Sequence, residues 1–164
     1  MLITQEQNAL GKKLVELNLI TQDQLAQSFA KADEKGMSLG RCLIESGIVP
    51  KAKVYETLAE VYGVPYVDVL NFQISPEAIK AIPGELAHRY KAIPLFKIGN
   101  TINLAMENPT DIAAIDHFSR KSQSEIDVCL GASEDIEEAL KEHYGAGNSV
   151  SQLLESLGRE RAHG

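Results

Sequence analysis

Side chains able to do chemistry are sparse in this chain of 164 residues. The four histidines, His88, His117, His143 and His163, stand singly, and Asp116-His117, though adjacent, point to different faces of a helix. Cys42 and Cys129 lie too far apart in sequence for metal-ligand spacing, and two cysteines make no disulfide framework. The densest carboxylates, Glu134, Asp135, Glu137 and Glu138, fall at the start of a predicted helix, where its dipole favours negative charge and the group reads as a solvated face. Phosphate chemistry lacks its usual cradle: GMSLGR (36–41) is missing the lysine and hydroxyl that close a P-loop. No Gly-x-Ser-x-Gly or His-Glu-x-x-His occurs either. We therefore expect no catalytic residues, no metal site and no enzyme, but a binding or adaptor module.

A different kind of chemistry, that of bare backbone, is offered by Leu10-Gly11 and Leu39-Gly40. They belong to an internal repeat. Sliding the sequence by 29 residues lays Leu10–Ala32 on Leu39–Val61, with Leu10, Gly11, Leu14, Glu16 and Ala30 recurring as Leu39, Gly40, Leu43, Glu45 and Ala59. Glycine inside a helix costs ~1 kcal/mol relative to alanine, so something offsets that cost twice. Close approach of two helices is one explanation, and backbone exposed to a ligand is the other.

The elements that position these residues follow from periodicity. Each copy predicts a helix through Leu10, Leu14 and Leu17, or Leu39, Leu43 and Ile44, stopping near Asn18 or Gly47. A second helix starts at the capping box Thr21-x-x-Gln24, or at Pro50, and carries Leu25 and Phe29, or Val54 and Leu58. Leu14, Leu25, Phe29, Leu43, Val54 and Leu58 are the expected core of two packed helical hairpins. Further on, a capped Ser75-Pro76-Glu77 opens a short helix, and a second carries Leu86 to Tyr90. AIPLFKI and TINLAM flank a Gly99-Asn100 turn of the II′ kind. Thr110 is expected to cap a helix burying Ile112, Ile115 and Phe118, EIDVCL (125–130) reads as a third strand, and Ser133 caps a last helix with Ile136, Ala139 and Leu140 inward. The fold class is α+β: a tandem helical-hairpin bundle (1–70), then a three-stranded sheet covered by helices on one face (71–145). A tail (146–164) ends the chain, with Val150, Leu153, Leu154 and Leu157 spaced as a short amphipathic helix.

Charge narrows the partners. Residues 1–63 carry 7 Lys/Arg against 8 Asp/Glu, and residues 64–145 carry 7 against 13, so the −7 net charge lies almost wholly in the second half. Such an acidic half, with 5% aromatic residues and no Trp, argues against nucleic acid. No apolar run reaches the ~20 residues of a membrane span, and MLITQEQNAL lacks the pattern of a signal peptide, so a cytoplasmic protein without membrane insertion is expected.

The repeat, followed by Ile-Pro-x-x-Leu-Ala-x-x-Tyr (82–90), Pro94-Leu95, Leu104-Ala105-Met106, Asn108-Pro109-Thr110-Asp111 and Ile136-Glu137-Glu138-Ala139-Leu140 to Tyr144-Gly145, resembles the N-terminal domain of type II secretion and type IV pilus assembly ATPases. That domain is known as the GspE N-terminal or MshEN domain. The resemblance spans about residues 9–145 and implies a docking and regulatory domain preceding a hexameric ATPase, held near the inner membrane by a cytoplasmic domain of a platform protein. An apolar surface around Leu2, Ile3, Leu17 and Leu19 is the partner-binding candidate, because the platform protein meets this end in the resembled family. One branch of the family binds cyclic di-GMP through an Arg before each Leu-Gly and a Gln closing each copy. Those positions hold Ala9, Ser38, Ala32 and Val61 here, and Asn18 replaces a glycine. Losing the bidentate, charge-assisted contacts removes a few kcal/mol. No cofactor is therefore expected; the alternative is a cyclic di-GMP sensor with an atypical pocket at Leu10, Gly11, Leu39, Gly40 and Arg41.

Overall fold

The computed structural model describes residues 5–145, in two compact units, one ending at Tyr66 and the other beginning at Val67. The first is four helices: α1 (Gln5–Glu16), α2 (Gln22–Lys35), α3 (Leu39–Glu45) and α4 (Lys51–Tyr62). The repeat dictates their ends. Asn18 (φ 59°) and Gly47 (φ 73°) occupy the left-handed region just after α1 and α3. The Thr21–Gln24 capping box forms, with Gln24 N–H donating to Thr21 Oγ1 (3.1 Å) and Thr21 N–H donating to Gln24 Oε1 (2.9 Å). Pro50 precedes α4 as its cap residue.

The core of this unit is Leu10, Leu14, Ile20, Leu39, Leu43, Val49 and Val54. Three pairs of equivalent positions, Leu10/Leu39, Leu14/Leu43 and Ile20/Val49, are buried alike in the two copies. Three expected core residues are not fully buried: Leu25, Phe29 and Leu58 pack half-buried against this cluster from outside. Leu17 departs further. Helix α1 ends at Glu16, Leu19 N–H bonds back to Leu14 O at 3.0 Å, and the turn through Asn18 carries Ile20 inward while leaving Leu17 51% exposed. Sequence spacing had placed Leu17 in the stripe because it assumes the helix continues.

In the second unit a 3₁₀ turn (Val69–Asn71) precedes α5 (Pro76–Ala81), α6 (Gly84–Tyr90), β1 (Ala92–Ile98), β2 (Thr101–Met106), α7 (Ile112–Ser122), β3 (Glu125–Leu130) and α8 (Ser133–Tyr144). The sheet order is β1-β2-β3, with β1 antiparallel and β3 parallel to β2. Gly99 takes φ 58° while Asn100 stays out of the positive-φ region, as a II′ turn requires. Pro94 donates no ladder hydrogen bond, and the register of β1 shifts between Pro94 and Phe96.

Helix α7 lies on β3, α5 and α6 on β1, and α8 on β1 and β2. Ile102, Leu104 and Met106 are buried as expected, yet so are their opposite-facing neighbours Ile93, Ala105 and Cys129. Towards its Met106 end the sheet is thus covered on both faces, not one. Phe118 is fully buried, its ring edge-on to Tyr90 at 5.5 Å.

Several local expectations change. Asp111, not Thr110, caps α7, accepting from Ala114 N–H at 3.1 Å, because Thr110 is turned back onto Asn108 Oδ1. Ile112 is consequently the first residue of α7, 72% exposed before the buried stripe begins at Ala114. Ser133 lies within α8, whose cap position is Ala132, and Ser75 precedes α5 without a side-chain cap bond.

Candidate functional site

The two Leu-Gly dipeptides meet. A Cβ added to Gly11 would stand 2.7 Å from Leu25 Cδ1 and 3.4 Å from Leu39 Cδ2; one added to Gly40 would stand 3.1 Å from Val54 Cγ1 and 3.7 Å from Leu10 Cδ2. Each glycine therefore receives a side chain of its own hairpin's second helix and the leucine of the other copy. The cost of helix glycine is offset by close packing, and the backbone at Gly11 is covered by protein atoms. Of the alternatives the sequence left open, close helix approach is seen at both positions, with Gly11 buried and Gly40 half-buried.

The remaining member of the nucleotide candidate, Arg41, and the positions lacking the family's anchors lie around these dipeptides in sequence. Ser38 Oγ accepts from Arg41 N–H at 3.2 Å and so caps α3. The Arg41 guanidinium donates through Nε to Glu45 Oε1 at 3.1 Å, one turn along the same exposed helix face. Ala32 is fully buried, while Ala9 and Val61 are half-buried. The structure thus brings Leu10, Gly11, Leu39 and Gly40 together and leaves Arg41 on the outer side of α3, engaged with Glu45.

Of the partner-binding candidates, Leu17 is half-exposed and Leu19 half-buried beside it in sequence, whereas Leu2 and Ile3 lie outside the described residues. The amphipathic stretch Val150–Leu157 lies outside them too. Leu70 (47%), Ile98 (70%) and Ile112 (72%) add large exposed apolar side chains in the second unit; periodicity had assigned Ile112 to the core and had not singled out Leu70 or Ile98. Ile98 closes β1 at the hairpin, where it stays largely exposed among the described residues.

The carboxylates of α8 are not one solvated group. Asp135 is 4% exposed, and Glu137 accepts from Lys91 Nζ at 2.7 Å, with Glu107 4.0 Å from the same nitrogen. This bond holds the Glu137 carboxyl below its ordinary range and the Lys91 ammonium above its own. Lys91 closes α6 in a left-handed conformation (φ 48°), a role the sequence did not reveal. His117 Nδ1 is 3.2 Å from the Tyr90 hydroxyl. Burial lowers the pKa of His88 and pushes the Cys129 thiol up to about 12. Among the described residues no three His, Cys, Asp or Glu side chains are placed to hold a metal, and no helix is long and apolar enough to cross a membrane.

The model of the MshEN domain matches residues 62–150, more than half the chain. The chain belongs to the MshEN domain family. It is 28% identical over 150 residues to the type IV pilus assembly ATPase PilB of Myxococcus xanthus, covering 91% of this chain and 26% of that one. It is 26% identical over 141 residues to type II secretion system protein E of Xanthomonas campestris pv. campestris, covering 84% and 25% respectively. This MshEN chain thus spans about a quarter of the length of these curated relatives. Its α+β fold is that of MshE solved with cdg (cyclic di-GMP), at TM-score 0.68 and 23% identity over 82% of this chain and 98% of that one. It is also the fold of the N-terminal domain of XpsE, at TM-score 0.59 and 21% identity over 88% and 100%.

Proposed function

We propose that the chain is a non-catalytic docking and regulatory domain of a type IV pilus or type II secretion ATPase, working in the cytoplasm beside the inner membrane. Its partner is the cytoplasmic domain of an inner-membrane platform protein, and the motor it serves is the ATPase domain of the longer relatives. Family membership supports the setting; the exposed Leu17, set on the turn between α1 and α2, carries the choice of surface. A half-exposed leucine with Leu19 beside it buries apolar area on docking, the kind of contact that anchors an interface. Removing residues 1–20 would also remove Leu10 and Leu14 from the core, so a point substitution is the clean test. Capture of the platform domain by the full chain should survive moderate salt and be lost in Leu17→Glu with unchanged circular dichroism. Retained capture by Leu17→Glu would move the site elsewhere.

The second possibility, cyclic di-GMP binding at Leu10, Gly11, Leu39, Gly40 and Arg41, is favoured by the fold shared with MshE solved with cdg. Against it stand Ala9, Ser38, Ala32 and Val61 at the anchoring positions and the pairing of Arg41 with Glu45. Calorimetric titration with cyclic di-GMP should show no saturable binding. A saturable isotherm abolished by Arg41→Ala would favour the nucleotide instead.

A further inference from the structure

Helix α8 is held in two different ways along its length. Ile136, Ala139 and Leu140 are buried in the core of the second unit, whereas Lys141, Glu142 and His143 are exposed. Tyr144 is the one side chain of the last turn that is turned inward. Its hydroxyl donates to Ile79 O (2.9 Å) and Ile82 O (3.0 Å), sharing one proton between two carbonyls at the end of α5. Those carbonyls lack helical donors for a definite reason. The group four residues beyond Ile79 is Pro83, which has no N–H, and Leu86 N–H bonds to Pro83 O instead of Ile82 O.

The ring enters the same corner because residue 84 is glycine. A Cβ there would stand 3.0 Å from Tyr144 Cδ1. His88 meets the ring edge-on at 6.3 Å, and Gly145 then turns the backbone at φ 86°, ψ −173°, a region that glycine alone adopts readily.

We propose that Tyr144 is a latch: seated in the α5–α6 corner it fastens the last turn of α8, and unseated it lets residues 141–145 open while the helix up to Leu140 stays docked. A docking event or a pull on the residues after Gly145 then reaches the α5–α6 corner through this one side chain. The latch is independent of the partner surface at Leu17, and its test does not require a partner.

Residue-resolved amide exchange on the full chain decides the matter. Tyr144→Ala removes the plug, Gly84→Ala crowds its seat, and Tyr144→Phe keeps the ring but loses both hydroxyl bonds. In the first two, exchange at 142–145 should accelerate by about tenfold or more, and in Tyr144→Phe by a smaller factor, while the amides of 136–140 and of β2 keep their rates. Unchanged exchange at 142–145 in all three overturns the proposal. So does loss of protection spreading together through α8 and the sheet, which would make Tyr144 an ordinary core residue. Should Tyr144→Ala not fold, Gly84→Ala and Tyr144→Phe decide on the same criterion.

Discussion

Gly11→Ala sets two physical effects against each other, and the structure says which prevails. In the middle of α1, alanine gains about 1 kcal/mol of helix propensity over glycine. The added Cβ, however, would stand 2.7 Å from Leu25 Cδ1, 3.3 Å from its Cδ2 and 3.4 Å from Leu39 Cδ2. Leu39 is fully buried and cannot yield, so the half-buried end of Leu25 must swing out. Overpacking of this kind costs about 1–3 kcal/mol, leaving Gly11→Ala destabilised by roughly 0–2 kcal/mol after the propensity gain. A double-mutant cycle isolates the clash from propensity. In a Leu25→Ala background the obstructing methyls are gone, and Gly11→Ala should become neutral or stabilising by up to ~1 kcal/mol. The coupling between the two sites should therefore be destabilising for the wild-type Leu25 background, by up to about 3 kcal/mol. Urea unfolding followed by circular dichroism gives the four stabilities, compared at constant m. If Gly11→Ala stabilised by ~1 kcal/mol in both backgrounds, the glycine would not be a packing device, and its backbone would be free for a ligand.

Three further outcomes follow from burial and charge. Leu43→Ala, at a fully buried site, should cost ~2–5 kcal/mol in chemical unfolding, and half-buried Phe29→Ala measurably less; the reverse order would undo the core assignment of the first unit. His88, whose pKa is lowered in the folded chain, binds its proton more readily when unfolded, so stability should be full above pH 6.5 and fall as pH drops through that value. His88→Gln should flatten this limb, and an unchanged profile would place the titration elsewhere. Cys129, buried with its thiol pushed up to about 12, should react with a thiol reagent only on unfolding, and rapid labelling of the native chain would contradict its burial.

What the sequence disclosed was whatever is written in local spacing. The strands at 92–98, 101–106 and 125–130, the Thr21 capping box and the chain reversals at Asn18 and Gly47 all rest on residues within a few positions of one another. Failures began where a helix end decides which residue the stripe includes. Leu17 and Ile112 have the right period but lie at the margins of α1 and α7, so each is exposed. Capping at α7 went to Asp111 because Asn108 engages Thr110, a competition between neighbours that composition alone does not rank. Contacts between distant residues, such as Lys91 with Glu137 or Tyr144 with the carbonyls at Ile79 and Ile82, left no sequence signal. The repeat exposed the glycine pair, but only three-dimensional packing showed which side chains fill the space beside them.

The central claim, that this domain works by docking a protein through the Leu17 surface, is met most directly by calorimetric titration of the full chain with the cytoplasmic domain of the platform protein. The account predicts a saturable isotherm that changes little between low and moderate salt and disappears in Leu17→Glu. Binding that collapses with salt, or that Leu17→Glu leaves intact, would contradict it.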